Sequence, residues 1–266
     1  MSDHPLRVAV TRDEGLHGPL AEALRRRGLD PVSCPVCRTV PAPDPEPLRR
    51  AAREIGRFHW MVVASPRALA AIMTARSGAP LPVSLRTAAV GAKTAAMLSR
   101  AGARSPLVPP TAGAAALIET LHGADEWAER DVLIPRALDG GRDLAASLRR
   151  SGAQVAEVVA YRTVTRPAAD IARAWRAARP EAVVVASPSA ARGLVRALGV
   201  DEMRRLACVA AIGATTATQL EALGVPATMS ARADLDALAD LLALGPHAHG
   251  AGANGRGAPA SGRAGS

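Results

Sequence analysis

The stretch VVASPRA at residues 62–68 returns as VVASPSA at residues 184–190, 122 positions further along the chain. Each copy is an apolar run followed by Ser-Pro and an Ala-rich segment, the pattern of a buried strand that ends where a helix begins. The serine is a natural N-cap, and the proline suits the first helical position, where a missing N–H costs nothing. Each copy therefore predicts a strand–turn–helix unit.

The similarity extends beyond these seven residues. AVGAKTAAMLSRAG at 89–102 matches AIGATTATQLEALG at 211–224 with the same offset of 122. VTR at 10–12 matches IPR at 134–136 with an offset of 124. Self-similarity at a fixed spacing indicates duplicated structure, and a period of about 120 residues fits a domain better than a solenoid repeat.

Short Val-rich runs alternate with Ala-, Leu- and Arg-rich helical patterns along the chain. The predicted strands are 6–11, 59–64, 86–90, 131–134, 153–165, 182–186 and 206–211. The predicted helices are one ending at Arg27 and 46–55, 66–77, 92–101, 141–150, 168–178, 188–198, 214–223 and 234–244. This alternation predicts α/β domains with parallel sheets and helices on both faces. Ligands of such sheets bind beyond the carboxyl ends of the strands.

The formal net charge of +9 indicates an anionic partner. Nucleic acid is not expected, because the arginines are scattered without a long block and the few aromatic residues offer no stacking platform. A nucleotide is not expected either, since no Gly-rich phosphate-binding turn follows a predicted strand. A small polyanion held by a few arginines fits better.

The segment CPVC at 34–37 has the spacing of a redox motif or of half a zinc site. A zinc site needs a second pair of ligands, and a redox motif should open a helix, whereas Pro35 lies in an extended stretch. No metal or cofactor is therefore expected.

We expect a cytoplasmic protein without a membrane partner. No apolar run reaches the ~18 to 20 residues that a membrane helix needs, and no signal peptide precedes Leu6. The tail at 247–266, rich in Gly, Ala, Pro and Ser, is expected to be disordered. Its His247 and His249 could catch a metal, but a flexible pair of this kind is usually incidental.

The predicted helix starts could bind anions, because free N–H groups and the positive end of the helix dipole meet there. The two Ser-Pro turns contain Ser65 and Ser187, and the two Gly-x-x-Thr turns contain Thr94 and Thr216. Capping alone would explain a single turn of this kind. Two matched sets leave capping and ligand binding as equal alternatives.

These motifs, in this order, resemble uroporphyrinogen-III synthases over residues 6 to about 245, together with RALDGGRDL at 136–144 and VVAYRTV at 158–164. The resemblance implies a duplicated, flavodoxin-like α/β fold with the active site in a cleft between two domains. A two-stranded β-ladder would join them. Domain 1 would comprise 1–34 and 165–246, domain 2 would comprise 41–157, and the ladder strands would be 35–40 and 158–164.

The implied reaction is the cyclisation of hydroxymethylbilane, a linear tetrapyrrole with acetate and propionate groups on every ring, to uroporphyrinogen III. Hydroxide leaves the terminal carbon, the cation attacks the substituted position of ring D, and a spiro intermediate breaks and recloses with that ring inverted. This chemistry needs an acid and a geometric clamp, but no cofactor. The enzyme would be a monomer that contacts the enzyme supplying the bilane only transiently.

Tyr161, the only tyrosine, matches the family's linker tyrosine. A phenol stays protonated at neutral pH and can donate to a departing hydroxide, so the resemblance implies a catalytic role. From the strand pattern alone, a β-favouring aromatic residue would be the simpler interpretation.

The substrate-binding set is expected in the turns that follow the strands. Arginines there can pair with carboxylates through two parallel hydrogen bonds. The candidates are Arg12, Ser65, Pro66, Arg67, Lys93, Thr94, Arg136, Arg142, Ser187, Ser189, Thr215 and Thr216. Arg67 in the first Ser-Pro turn becomes Ser189 in the second, so the two copies are expected to treat the substrate differently.

The chain departs from the family pattern at Ala64, Ala186 and Ala137, where Thr, Thr and Gly are common. Backbone amides are therefore expected to bind more of the substrate's carboxylates. A non-catalytic tetrapyrrole-binding or regulatory protein of the same fold remains the alternative function.

Overall fold

The structure, a computed structural model, describes residues 4–13, 15–111, 113–230 and 234–244. The chain divides into two compact units. Unit 1 contains the described residues up to Arg38 and from Thr165 onward, and unit 2 is Thr39–Val164. The predicted tail at 247–266, with His247 and His249, lies outside the described residues.

The strands are short and rich in Val and Ala. They are β1 (Arg7–Val10), β2 (Asp30–Ser33), β3 (Cys37–Pro41), β4 (Trp60–Val63), β5 (Arg86–Ala89), β6 (Asp131–Ala137), β7 (Gln154–Thr165), β8 (Ala182–Val185), β9 (Cys208–Ala211) and β10 (Thr228–Met229).

The helices fall between these strands. They are α1 (Pro19–Arg26), α2 (Glu46–Arg53), α3 (Pro66–Ala75), α4 (Ala92–Arg100), α5 (Ala114–His122), α6 (Asp143–Arg150), α7 (Ala168–Ala178), α8 (Pro188–Leu198), α9 (Val200–Arg204), α10 (Ala214–Ala222) and α11 (Leu235–Leu244).

Each unit is built on one sheet. Unit 1 has the order β10-β9-β8-β1-β2, with all neighbours parallel. Unit 2 has the order β3-β7-β6-β4-β5, with parallel pairing from β7 to β5. The predicted α/β class with parallel sheets is confirmed. The two-stranded ladder and the cleft between the domains stay predictions.

The internal repeat corresponds to one topology used twice. By the two offsets, β9-β8-β1 of unit 1 matches β5-β4-β6 of unit 2, and β2 and β7 occupy the same flanking position. β10 also has a counterpart, because Leu107, 122 positions before Met229, forms a parallel bridge to Ala88 beside β5. The duplication predicted from the sequence is therefore present in strand order as well as in local motifs.

Alternate residues of each buried strand face opposite layers of helices, as the period of two requires. In β1, Val8 and Val10 pack with α1 and α11, whereas Ala9 packs with α7 and α8. In β4, Met61 and Val63 pack with α2, α3 and α4, whereas Trp60 and Val62 pack with α5 and α6. Burying each large apolar side chain contributes about 1.5–3 kcal/mol.

Several elements differ from the predictions, including the short α9 and β10, which were not predicted. α5 was not predicted, because its apolar stripe is only Leu117 and Leu121, four positions apart. β6 extends past the predicted end at Ile134 through Pro135 to Ala137. A proline cannot donate to a ladder, so a strand is expected to stop there. Here the pairing with β7 continues through Pro135 and Arg136, and its register shifts before Ala137.

Among the described residues, no helix is both long enough and apolar enough to cross a membrane.

Candidate functional site

Tyr161 and Ser65 meet in unit 2 although they lie on different strands. Tyr161 is in β7, and Ser65 follows β4, with β6 between the two strands in the sheet. The phenol oxygen of Tyr161 lies 3.1 Å from the Oγ of Ser65, and either atom can donate. The resemblance named both residues separately, and the tertiary structure joins them through one hydrogen bond.

Ser65 is held in place as the N-cap of α3. Its backbone is extended, and its Oγ accepts a hydrogen bond from the amide of Arg67 at 3.2 Å. Pro66 occupies the first turn, as predicted. Because the amide uses the serine oxygen as acceptor, the serine proton is available for the phenol oxygen.

A cavity of about 630 Å³ lies beside Tyr161. Its volume falls within the range of small-molecule sites, about 300–1,000 Å³. The wall is largely apolar, from β3, α2 and α3, with residues such as Val40, Leu48 and Ala71. Arg67, exposed and without a carboxylate partner among the described residues, also lines it.

The residues of α2 that line this cavity were not predicted from the sequence. Arg49 and Arg53 line the cavity beside Tyr161, and both face the carboxylate of Glu46, at 4.0 and 2.6 Å. The usable signal was the Pro-rich run at 41–47 followed by a basic helix.

Arg136 is bound within unit 2. Its Nε donates to Glu157 at 2.8 Å, and Arg149 donates to the other carboxylate oxygen at 2.8 Å. The side chains of Arg136 and Glu157 are only 13% and 14% exposed. Burial opposes ionisation of Glu157, but the two arginines outweigh it and hold the pKa of this carboxyl below its usual range.

The same guanidinium also binds the turn after β6. One nitrogen of Arg136 donates to the carbonyl oxygens of Ala137 and Leu138, each at 2.9 Å. The amide of Leu138 in turn donates to the carbonyl of Tyr161 at 2.8 Å. The strand register also shifts between Arg136 and Ala137, next to Tyr161. Arg136 therefore braces the backbone that carries the phenol.

The remaining candidates of unit 2 lie at helix starts. Arg142 is the N-cap of α6 and is exposed. In the first turn of α4, Lys93 is exposed, whereas the side chain of Thr94 is buried and 2% exposed. At this helix start Lys93 and the backbone are thus more accessible to a ligand than the threonine hydroxyl.

In unit 1, the candidates follow three adjacent strands. Arg12 comes after β1, Ser187 and Ser189 come after β8, and Thr215 and Thr216 come after β9. Because the carboxyl ends of parallel strands lie at one edge of a sheet, these residues share that edge. The structure thus groups all five of them in one unit.

The second Ser-Pro turn uses its hydroxyls differently from the first. Ser187 caps α8 by accepting from the amide of Ala190 at 3.2 Å, which confirms its predicted capping role. Its Oγ lies 3.0 Å from that of Ser189, the residue that replaces Arg67. Thr216 is buried and 2% exposed, whereas Thr215 is exposed, as at the equivalent turn of unit 2.

The cysteines do not form a reactive pair. Burial raises the pKa of the Cys34 thiol to about 11, and burial also raises the pKa of Cys37. A redox-active cysteine needs the opposite shift. Among the described residues, no three His, Cys, Asp or Glu side chains are grouped so that they could hold a metal.

Solved structures with the same architecture include a uroporphyrinogen-III synthetase from Helicobacter pylori. Its TM-score is 0.58 at 17% identity, covering 90% of this chain and 98% of that one. A mutant uroporphyrinogen III synthase from Thermus thermophilus gives a TM-score of 0.53 at 18% identity, covering 88% and 96%. At this identity the likeness shows the fold, which is the predicted duplicated α/β fold.

Sequence comparisons extend the likeness to the family. The chain is 31% identical to a uroporphyrinogen-III synthase of Synechococcus elongatus over 238 residues, which cover 84% of this chain and 89% of that protein. It is 27% identical to the chloroplastic uroporphyrinogen-III synthase of Oryza sativa over 230 residues, 84% and 75% of the two chains. The model of the family described as uroporphyrinogen-III synthase HemD matches residues 18–240. The chain belongs to the uroporphyrinogen-III synthase family.

Proposed function

We propose that this chain cyclises hydroxymethylbilane to uroporphyrinogen III, with Tyr161 as the acid that releases hydroxide from the terminal carbon. The observation that carries the assignment is the contact of 3.1 Å between the Tyr161 phenol and Ser65 beside a cavity of about 630 Å³. Family membership favours this enzyme over a non-catalytic tetrapyrrole-binding protein.

The proton path follows from the hydrogen bonds of Ser65. The amide of Arg67 donates to the serine oxygen. Either hydroxyl of the Ser65–Tyr161 pair can donate, and we assign the serine as the donor to the phenol oxygen. This leaves the phenol proton for the hydroxyl that departs as water. The bond from the serine also stabilises the phenolate that forms, as a hydrogen bond to the charged form of a group does.

The rest of the reaction returns that proton. The terminal carbon, now cationic, attacks the substituted position of ring D, and the spiro intermediate breaks and recloses with ring D inverted. When the ring system regains aromaticity, a proton leaves a pyrrole carbon and restores the phenol. Atoms and charges balance with water as the only by-product.

Geometry then decides which isomer forms. An apolar wall binds a pyrrole face, and the arginine heads around it bind acetate and propionate groups. Arg67 is the best placed of the predicted arginines, because it lines the cavity and has no carboxylate partner among the described residues. The remaining rings are proposed to bind at the other predicted helix starts, through backbone amides where the side chains are buried. These residues are Arg12, Lys93, Thr94, Arg142, Ser187, Ser189, Thr215 and Thr216.

The test supplies freshly made hydroxymethylbilane to the purified protein and separates the oxidised porphyrin isomers. Uroporphyrin III as the main product would support the proposal. Isomer I alone, which the bilane forms without an enzyme, would contradict it. The same assay separates the enzyme from the binding protein, because a binder would slow loss of the bilane without producing isomer III.

We also infer that the protein is cytoplasmic, monomeric and in only transient contact with the enzyme that supplies the bilane. The scattered charges and the composition support a solvated surface. Light scattering at micromolar concentration would test the monomer, and a stable co-purifying partner would contradict the transient contact.

A further inference from the structure

Unit 1 contains a second concave site to which the proposed function assigns no role. This cavity of about 330 Å³ lies between the end of β7, the start of α7 and one side of α8. Three arginines line it: Arg38, Arg166 and Arg196. Among the residues that the structure describes, no carboxylate lines it.

The chain is packed closely at one wall of this cavity, where Gly193 of α8 lies against Val36 and Thr165. A Cβ at Gly193 of α8 would lie 2.6 Å from Val36 and 2.9 Å from Thr165, so only glycine lets the helix pack this tightly against the chain there. The amide of Arg166 donates to the carbonyl of Val36 at 2.8 Å. These contacts fix the position of Arg166 relative to α8, and Arg196 lies one turn further along that helix.

The three arginines have too little negative charge around them. Arg166 has an ion pair with Asp13 at 3.7 Å, yet its Nε is buried and has no hydrogen-bond partner among the described residues. Arg38 and Arg196 are exposed and have no ion pair with any described residue. Asp170, in the first turn of α7, is bonded to Arg173 at 2.6 Å.

A bound oxyanion would accept a hydrogen bond from the Arg166 Nε and would neutralise the excess positive charge of the cavity. A guanidinium presents a planar fork of donors that matches a carboxylate or a phosphate, and an anion among three cations removes their mutual repulsion. A buried donor without a partner calls for an explanation such as an unseen ion. We propose that this cavity binds an oxyanion, held by Arg38, Arg166 and Arg196. The anion has two possible sources: a carboxylate of the bilane or free inorganic phosphate.

The test uses the double variant Arg38→Gln/Arg196→Gln in the full-length protein. Both side chains are exposed, so the fold should be retained. The matched control is Arg176→Gln/Arg179→Gln, which removes the same charge from unit 1 outside the cavity. A further variant, Ala168→Glu, puts a carboxylate at the cavity wall, where the first turn of α7 tolerates an acidic residue.

Inorganic phosphate is titrated into each protein by calorimetry at pH 7 and low salt, and the KM for hydroxymethylbilane is measured with and without phosphate. Saturable phosphate binding by the wild type and the control, at least tenfold weaker in the double variant and in Ala168→Glu, supports the site. An unchanged KM then identifies a free anion as the occupant. A KM that rises about tenfold in the double variant, with phosphate competing, identifies a bilane carboxylate.

Equal phosphate binding and equal KM in the wild type and the double variant would overturn the inference. The titration does not depend on catalysis. A chain that made no isomer III but still lost phosphate binding in the double variant would refute the proposed function and leave this site standing.

Discussion

The phenol oxygen of Tyr161 lies 3.1 Å from the Oγ of Ser65, a residue 96 positions earlier in the chain. The serine is at the same time the N-cap of α3, so one hydroxyl fixes a helix and orients a phenol. Helix capping and a role in the reaction are therefore compatible interpretations of the first Ser-Pro turn. The second turn differs, because the nearest hydroxyl to Ser187 is that of Ser189.

Replacing Tyr161 with Phe should remove the acid but leave the fold intact. We expect isomer III formation to fall by about 10²–10⁴-fold, the usual contribution of a positioned acid. The isomer ratio after oxidation measures this, and circular dichroism checks the fold. Turnover like that of the wild type would contradict the assignment of Tyr161.

Replacing Ser65 with Ala should weaken both functions of this hydroxyl. Loss of the cap should lower the free energy of unfolding by about 1 kcal/mol. Loss of the bond to the phenol should lower kcat about fivefold with little change in KM, since one hydrogen bond is worth about 1 kcal/mol. Ser65→Thr retains a hydroxyl and should recover most of the activity; if it is as slow as Ser65→Ala, the hydroxyl is not the group that matters.

Arg136 should act through Tyr161 rather than on the substrate. Glu157→Gln leaves the arginine in place but weakens the contact that orients it, so we expect lower kcat with KM nearly unchanged. Arg136→Lys should behave similarly, because an ammonium cannot donate to Glu157 and two carbonyl oxygens in the geometry of the guanidinium. If KM rises instead and kcat is retained, Arg136 binds a substrate carboxylate.

Glu157 should also make stability depend on pH. Its pKa in the folded protein is lowered, so its contribution is complete above the pKa of the unfolded chain, near ~4.3, and disappears as the pH falls through the folded value. The difference in free energy of unfolding between wild type and Glu157→Gln should therefore shrink from pH 5 to pH 3. Urea unfolding across that range measures it, and a constant difference would contradict the ion-pair interpretation.

Arg67→Gln should raise KM by about five- to tenfold, because the Arg67 guanidinium lines the cavity and has no carboxylate partner among the described residues. The effect should shrink at high salt, as screening reduces the attraction. The matched control is Arg104→Gln, an exposed arginine of unit 2 that does not line the cavity. Equal KM values for the two variants would exclude Arg67 from binding.

The sequence by itself determined the local elements and their duplication. The period of the apolar residues and the capped Ser-Pro turns depend on contacts within a few positions, such as Ser65 with Arg67. The repeat in the sequence, with its offset of 122, likewise indicated the duplication that appears as the same strand order in both units. β6 was predicted too short because Pro135 breaks the local rule, whereas the pairing with β7 is not local.

Only the tertiary structure decided which side chains work together. The substrate-binding role of Arg136 stays a prediction, but its hydrogen-bond partner Glu157, 21 positions away on the neighbouring strand, was visible only in the structure. The cavity beside Tyr161 also needs α2, which no motif connected to it. The physical reason is that sheet order and register set distances across strands. A hydrogen bond between residues 96 positions apart therefore exists only once β4, β6 and β7 are side by side.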